Sequence, residues 1–94
     1  MTEPRLPRPN PQVLFTELDD GTGVLLHLDT KFYFTLNRTG VTVWKELSSR
    51  PEGATPALVA QRIAELFDVS AEDAERDVLA IVETMASEGL IESA

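Results

Sequence analysis

Between Lys31 and Trp44 the chain changes its period. The stretch KFYFTLNRTGVTVW opens with six residues, Lys31 to Leu36, that suit a strand rich in aromatic side chains. A few positions later the apolar residues Val41, Trp44 and Leu47 fall three apart, with Val43 beside them, which is the spacing of a helix face. Successive strand side chains alternate between two faces, whereas helical ones return about every 3.6 residues, so no single element holds both halves. A strand must therefore end and a helix begin near Asn37 or Thr39, either of which is placed to cap the helix.

Upstream of this junction the pattern is that of strands. VLFTEL, from Val13 to Leu18, reads as the first, and DDGTG (19–23) supplies the Asp and Gly of a turn. GVLLHLD is the second strand, Asp29 and Thr30 make a tight connection, and Lys31 to Leu36 is the third. Three short strands so closely spaced predict an antiparallel meander whose third strand lies at an edge, with one row of backbone groups unpaired.

Downstream the pattern is helical throughout. SSRPEGA breaks the first helix, and Thr55 followed by Pro56 opens a second, with Leu58, Val59, Ile63, Leu66 and Phe67 expected inward. Ser70, with Asp73 three positions on, opens a third. Ala74, Val78, Ile81 and Met85 line one of its faces with Val82 beside them; Gly89 stops it, and Leu90 is placed to fold back as the apolar contact of the cap. A sheet followed by helices predicts an α+β domain, and the closely linked second and third helices give it a winged helix-turn-helix-like character. Ahead of it, residues 1–11 hold four of the six prolines and read as an extended, disordered tail, leaving 12–94 as the folded unit.

Composition narrows the function. Ninety-four residues suffice for one core. There is no cysteine, so disulfides and Cys-based zinc sites are ruled out. No apolar run approaches the roughly 20 residues of a membrane span, and the N-terminus lacks the apolar middle of a signal peptide, so a cytoplasmic protein without membrane contact is expected. His27, the one histidine, lies mid-strand between leucines and reads as a half-exposed structural residue rather than a catalytic base. No GxSxG, P-loop, GxGxxG or EF-hand spacing occurs, so neither an enzyme, a cofactor nor a metal is expected.

A helix-turn-helix pair raises the alternative of a DNA-binding regulator, whose second helix would enter the major groove. Here that helix offers Glu72, Asp73, Glu75, Asp77, Glu83 and Glu88 against Arg76 alone, in a chain of net charge −8. Such a surface repels a polyanion, so no nucleic-acid partner is expected. Peptide binding is the remaining use of the features at hand. An edge strand is a template onto which an extended peptide adds. If Leu36 faces the core, alternation puts Phe32 and Phe34 on the helix side, and Tyr33 and Thr35 on the other. The same edge also pairs with a second copy of itself, which predicts a homodimer at high concentration.

FTLNRTGVTVWKEL carries a resemblance as well. The aromatic pair Tyr33 and Phe34, then Leu36, Asn37, Gly40 and Trp44, resemble the signature of the PqqD-like family, as do ELFDVSAEDAERDV and the closing ASEGLIE. These are RiPP recognition elements, small domains that act as peptide chaperones in natural product biosynthesis from ribosomally made precursors. The resemblance covers roughly residues 12–92 and implies that a precursor's leader peptide adds antiparallel to the third strand, in the groove between that strand and the third helix. The implied peptide-binding residues are Lys31, Phe32, Tyr33, Phe34 and Thr35 on the strand, and Ala74, Asp77, Val78 and Ile81 on the helix. The implied second partner is a peptide-modifying enzyme: a radical SAM enzyme, a leader protease or similar.

Overall fold

The computed structural model describes residues 5–50 and 53–92. Among them the elements run β1 (Arg8–Pro9), β2 (Val13–Glu17), β3 (Gly23–His27), β4 (Tyr33–Leu36), α1 (Arg38–Ser49), α2 (Pro56–Phe67), α3 (Ala71–Ser87) and β5 (Ile91–Glu92). β2, β3 and β4 form a three-stranded antiparallel sheet in that order, so the domain is α+β and β4 is an edge, as expected.

Local chemistry starts each helix. Asn37 accepts a hydrogen bond from the Gly40 amide at 2.8 Å, Thr55 from Leu58 at 3.3 Å, and Ser70 from Asp73 at 3.1 Å. Pro56 then occupies the first turn of α2, where its missing N–H costs nothing. α3 ends in a Schellman turn: Leu90 N–H donates to the Met85 carbonyl and Gly89 N–H to that of Ala86, with Gly89 at φ +74°. Leu90 is buried beside Met85, the apolar contact expected of that cap.

The core lies between the sheet and the helices and is built on Leu25, Val43, Leu47, Val59, Ile63 and Val78. Trp44 is part of it, its ring centroid 6.3 Å from that of Phe15. α1 crosses β3 closely, because a Cβ at Gly23 would lie 2.7 Å from the Phe15 ring and 3.0 Å from Val41.

Several expectations are corrected. Leu58 and Leu66 are exposed, Leu66 by 52%, because the buried row of α2 is Val59, Ala60 and Ile63; the other two lie one residue round the helix from it. His27 is buried rather than half-exposed, since alternation from Leu25 turns it inward; its Nδ1 accepts from the Asp29 amide at 3.2 Å. The tail also behaves differently over its described part, residues 5–11, while 1–4 lie outside the described residues. Arg8 and Pro9 pair antiparallel with Glu92 and Ile91, Asn10 bonds through backbone and side chain to Leu90 and Gly89, and Leu6 N–H reaches the Ala54 carbonyl. Leu6 itself joins the core. Prolines impose an extended backbone, and extended backbone is what a short strand pairing needs; the partner, at the other end of the chain, leaves no local trace.

Leu6 separates a strap from a loose tail. Leu6→Ala is expected to lower the unfolding free energy by about 2 kcal/mol or more in a urea titration, as for a buried leucine. A loss below about 0.5 kcal/mol would mean the strap contributes little.

Candidate functional site: the groove between β4 and α3

β4 pairs with β3 on one side only, with Leu36 opposite Gly23, Thr35 opposite Val24, Phe34 opposite Leu25 and Tyr33 opposite Leu26. The backbone of His27 donates to the Phe32 carbonyl at 3.0 Å, which sets the phase of the ladder. In an antiparallel pair the hydrogen-bonded positions alternate, so Phe34 and Leu36 turn their N–H and C=O groups to β3. The groups of Tyr33 and Thr35 point out from the edge. Both side chains are exposed on the far face of the sheet, while Phe34 and Leu36 are half-buried against the core.

Beside this edge runs a groove of about 580 Å³. Tyr33, Phe34, Thr35 and Leu36 form one wall, and Ala80, Ile81, Thr84, Met85 and Glu88 of α3 the other. Asn37 and Gly40 close one end. Gly40 is needed there, since a Cβ would stand 3.3 Å from Leu36 at the foot of the strand wall. Gly89 lies near His27, a Cβ there falling 3.7 Å from its Nε2, so the C-terminal end of α3 stands at the hairpin end of β4. α3 thus runs antiparallel to the strand it faces.

The predicted site residues divide. Tyr33, Phe34, Thr35 and Ile81 all line the groove. Ala74 and Val78 do not: both are fully buried in the core, and the α3 residues that line the groove begin only at Ala80. Asp77 is exposed one turn before Ile81, on the same row and just outside the groove. Lys31 and Phe32 precede the strand. Lys31 takes a left-handed backbone, φ +66°, to close the hairpin, and Phe32 is 65% exposed rather than turned to the helices. The wall formed by Ala80, Thr84, Met85 and Glu88 was not anticipated. Its signal was faint: a row of small and polar residues on the flank of an apolar face.

Polar chemistry in the groove is sparse. Thr84 Oγ1 donates to its own helix at the Ala80 carbonyl, and Asn37 is engaged in capping. Among the described residues no cluster of His, Cys, Asp and Glu is arranged to hold a metal ion. The exposed side of α3 is acidic and Arg76 is paired with Asp73 at 2.7 Å, so nothing here favours the DNA-binding alternative. No helix among the described residues is long and apolar enough to cross a membrane.

An open edge strand facing an apolar, helix-walled groove defines a small α+β domain of the kind that receives an extended peptide. The chain belongs to the PqqD family: residues 22–91 match the family described as coenzyme PQQ synthesis protein D (PqqD). Two solved structures are similar over almost the whole chain. One is TbiB1 in complex with the TbiA(beta) leader peptide, 29% identical, with a TM-score of 0.79 and 93% of this chain aligned to 96% of that one. The other is lasso peptide synthetase B1 complexed with the leader peptide, 32% identical, with a TM-score of 0.75 over 89% and 94%. Among curated proteins none matches the chain.

Amide hydrogen exchange reads the edge directly. The amides of Phe34 and Leu36 are expected to be protected and those of Tyr33 and Thr35 to exchange at least about tenfold faster. Equal protection of all four would mean that the edge is already paired, as in a strand-to-strand dimer.

Proposed function

We propose that this domain is a non-catalytic recognition element. It holds the leader of a ribosomally made precursor peptide as an added strand on β4 and presents the rest of the precursor to a modifying enzyme. The observation that carries this reading is the open edge of β4 beside the groove. The family match and the two leader-bound relatives support it. The recognition unit would span 12–94, with residues 5–11 as its strap, and the site has no catalytic task to perform.

The arrangement specifies what a leader must supply. Its backbone bonds the outward N–H and C=O groups of Tyr33 and Thr35, four ladder bonds worth about 0.5–1.5 kcal/mol each. Running antiparallel, it places the side chains opposite Leu36 and Phe34 into the groove, two residues apart in its own sequence. Each apolar side chain buried there adds about 1.5–3 kcal/mol. After ordering costs the dissociation constant falls at about micromolar. The bound leader then raises the local concentration of precursor at the enzyme, whether a radical SAM enzyme, a leader protease or another modifier. Homodimerisation through the same edge would compete with the leader.

Ile81→Asp places a carboxylate in the groove at a half-buried position on the margin of the core, rather than at a fully buried one. Binding of a fluorescently labelled leader peptide is expected to weaken at least about tenfold, roughly 1.4 kcal/mol. Leu66→Ala, on the exposed side of α2, should leave binding unchanged. Unaltered affinity of a folded Ile81→Asp protein would place the peptide elsewhere. Val78→Asp is unsuitable for this purpose, since a charge at a fully buried position should unfold the domain.

A further inference from the structure

One end of the groove has an electrostatic sign. Glu88 is the one charged residue among those that line it, and it makes no ion pair among the described residues. It is also the C-cap of α3, where the helix dipole places its negative end. The last turn of α3 carries no basic residue to offset that end. Lys31, in the nearby hairpin, is exposed and makes no ion pair either. The other residues that line the groove are uncharged, so the field at this end is not diluted by other charges in the groove.

The topology says which residue of a bound peptide meets this end. Glu88 stands on the Tyr33 side of the groove, because the adjoining Gly89 packs by His27, whose backbone bonds Phe32. A peptide antiparallel to β4 fills the groove with the residues opposite Leu36 and Phe34, then directs the residue opposite Phe32 to the same face. We infer that the groove selects leaders with the pattern apolar–x–apolar–x–basic, the Lys or Arg on the C-terminal side being held by Glu88 and the C-terminal end of α3. This rests on the strand-addition reading and adds to it a charge and a direction.

Selection from a library of displayed random dodecapeptides tests both at once, because no leader has to be known in advance. Wild type, Glu88→Lys and Glu83→Lys proteins are panned side by side after circular dichroism confirms folding. Glu83 is an exposed acid of α3 outside the groove, so its variant makes the same change in net charge. Wild-type protein is expected to enrich two apolar residues two apart followed, after one position, by Lys or Arg. The preference for Lys over Glu at that last position should be about fivefold, should fade in high salt, and should reverse for Glu88→Lys while surviving in Glu83→Lys. An apolar pair enriched with no basic preference, or with one that Glu88→Lys leaves intact, would overturn the inference and leave the groove reading standing. A basic residue enriched on the N-terminal side would overturn the direction. Failure to enrich any spaced apolar pair would remove the groove reading itself, and this inference with it.

Discussion

The junction at Leu36, Asn37 and Gly40 is the constraint on which the rest of the molecule depends. β4 passes into α1 with one residue between them, and that residue, Asn37, caps the helix with its side chain. The strand therefore cannot tilt or slide independently of α1. Gly40 brings the first helical turn down onto Leu36, and Val43, Trp44 and Leu47 carry the contact on into the core. Because β4 is fixed on this side, its other side has a fixed position relative to α3. A groove proposed to hold a flexible peptide in one register would need walls that do not move, and a junction with no loop in it supplies them.

How much of this was legible in the sequence follows from how local each cause is. Asn37, Thr55 and Ser70 could be read as caps because a cap is decided within four residues. Gly89 and Leu90 could be read as a helix end for the same reason. The inward faces of α1 and of most of α3 followed from period alone. Leu58 and Leu66 did not, since two adjacent rows of α2 were both apolar and only packing chose Val59, Ala60 and Ile63. Phe32 could not be placed by alternation alone: it stands in the hairpin just ahead of β4, and although its carbonyl bonds His27 its side chain is 65% exposed. The groove was the least legible feature. Its helix wall depends on which residues of α3 come beside β4, a relation between elements far apart in the chain. Ala74 and Val78 are more apolar and more regular than Ala80, Thr84 and Glu88, and for that reason they belong to the core.

The same reasoning accounts for the strap. Arg8 and Pro9 have few partners near them in sequence, and prolines at 7, 9 and 11 look like a chain with no structure to make. Their partners are Ile91 and Glu92, more than eighty residues on. This pairing closes the domain end to end and sits just past the Schellman turn that stops α3. It thereby tethers the segment holding Glu88, Gly89 and Leu90, one end of the groove. An element that composition assigns to disorder thus helps to hold the site in shape.

An open edge beside exposed aromatic residues is also a hazard, since any extended chain can add to it. Three features limit that hazard here. β4 is only four residues long, so a stray strand gains few bonds. The hairpin that begins it places Lys31 at the entrance, and the net charge of −8 keeps copies of the domain apart at low salt. What distinguishes a proper ligand from a stray one is then the groove, because backbone bonds reward every sequence equally. In the proposed mode of binding, a peptide gains over its competitors by filling the space between Phe34, Leu36, Ile81 and Met85 and by meeting Glu88 at one end. On this reading the densely aromatic stretch before the junction serves two ends with one alternation: Phe34 and Leu36 close the core and line the groove, while the outward backbone groups of Tyr33 and Thr35 are left for an added strand.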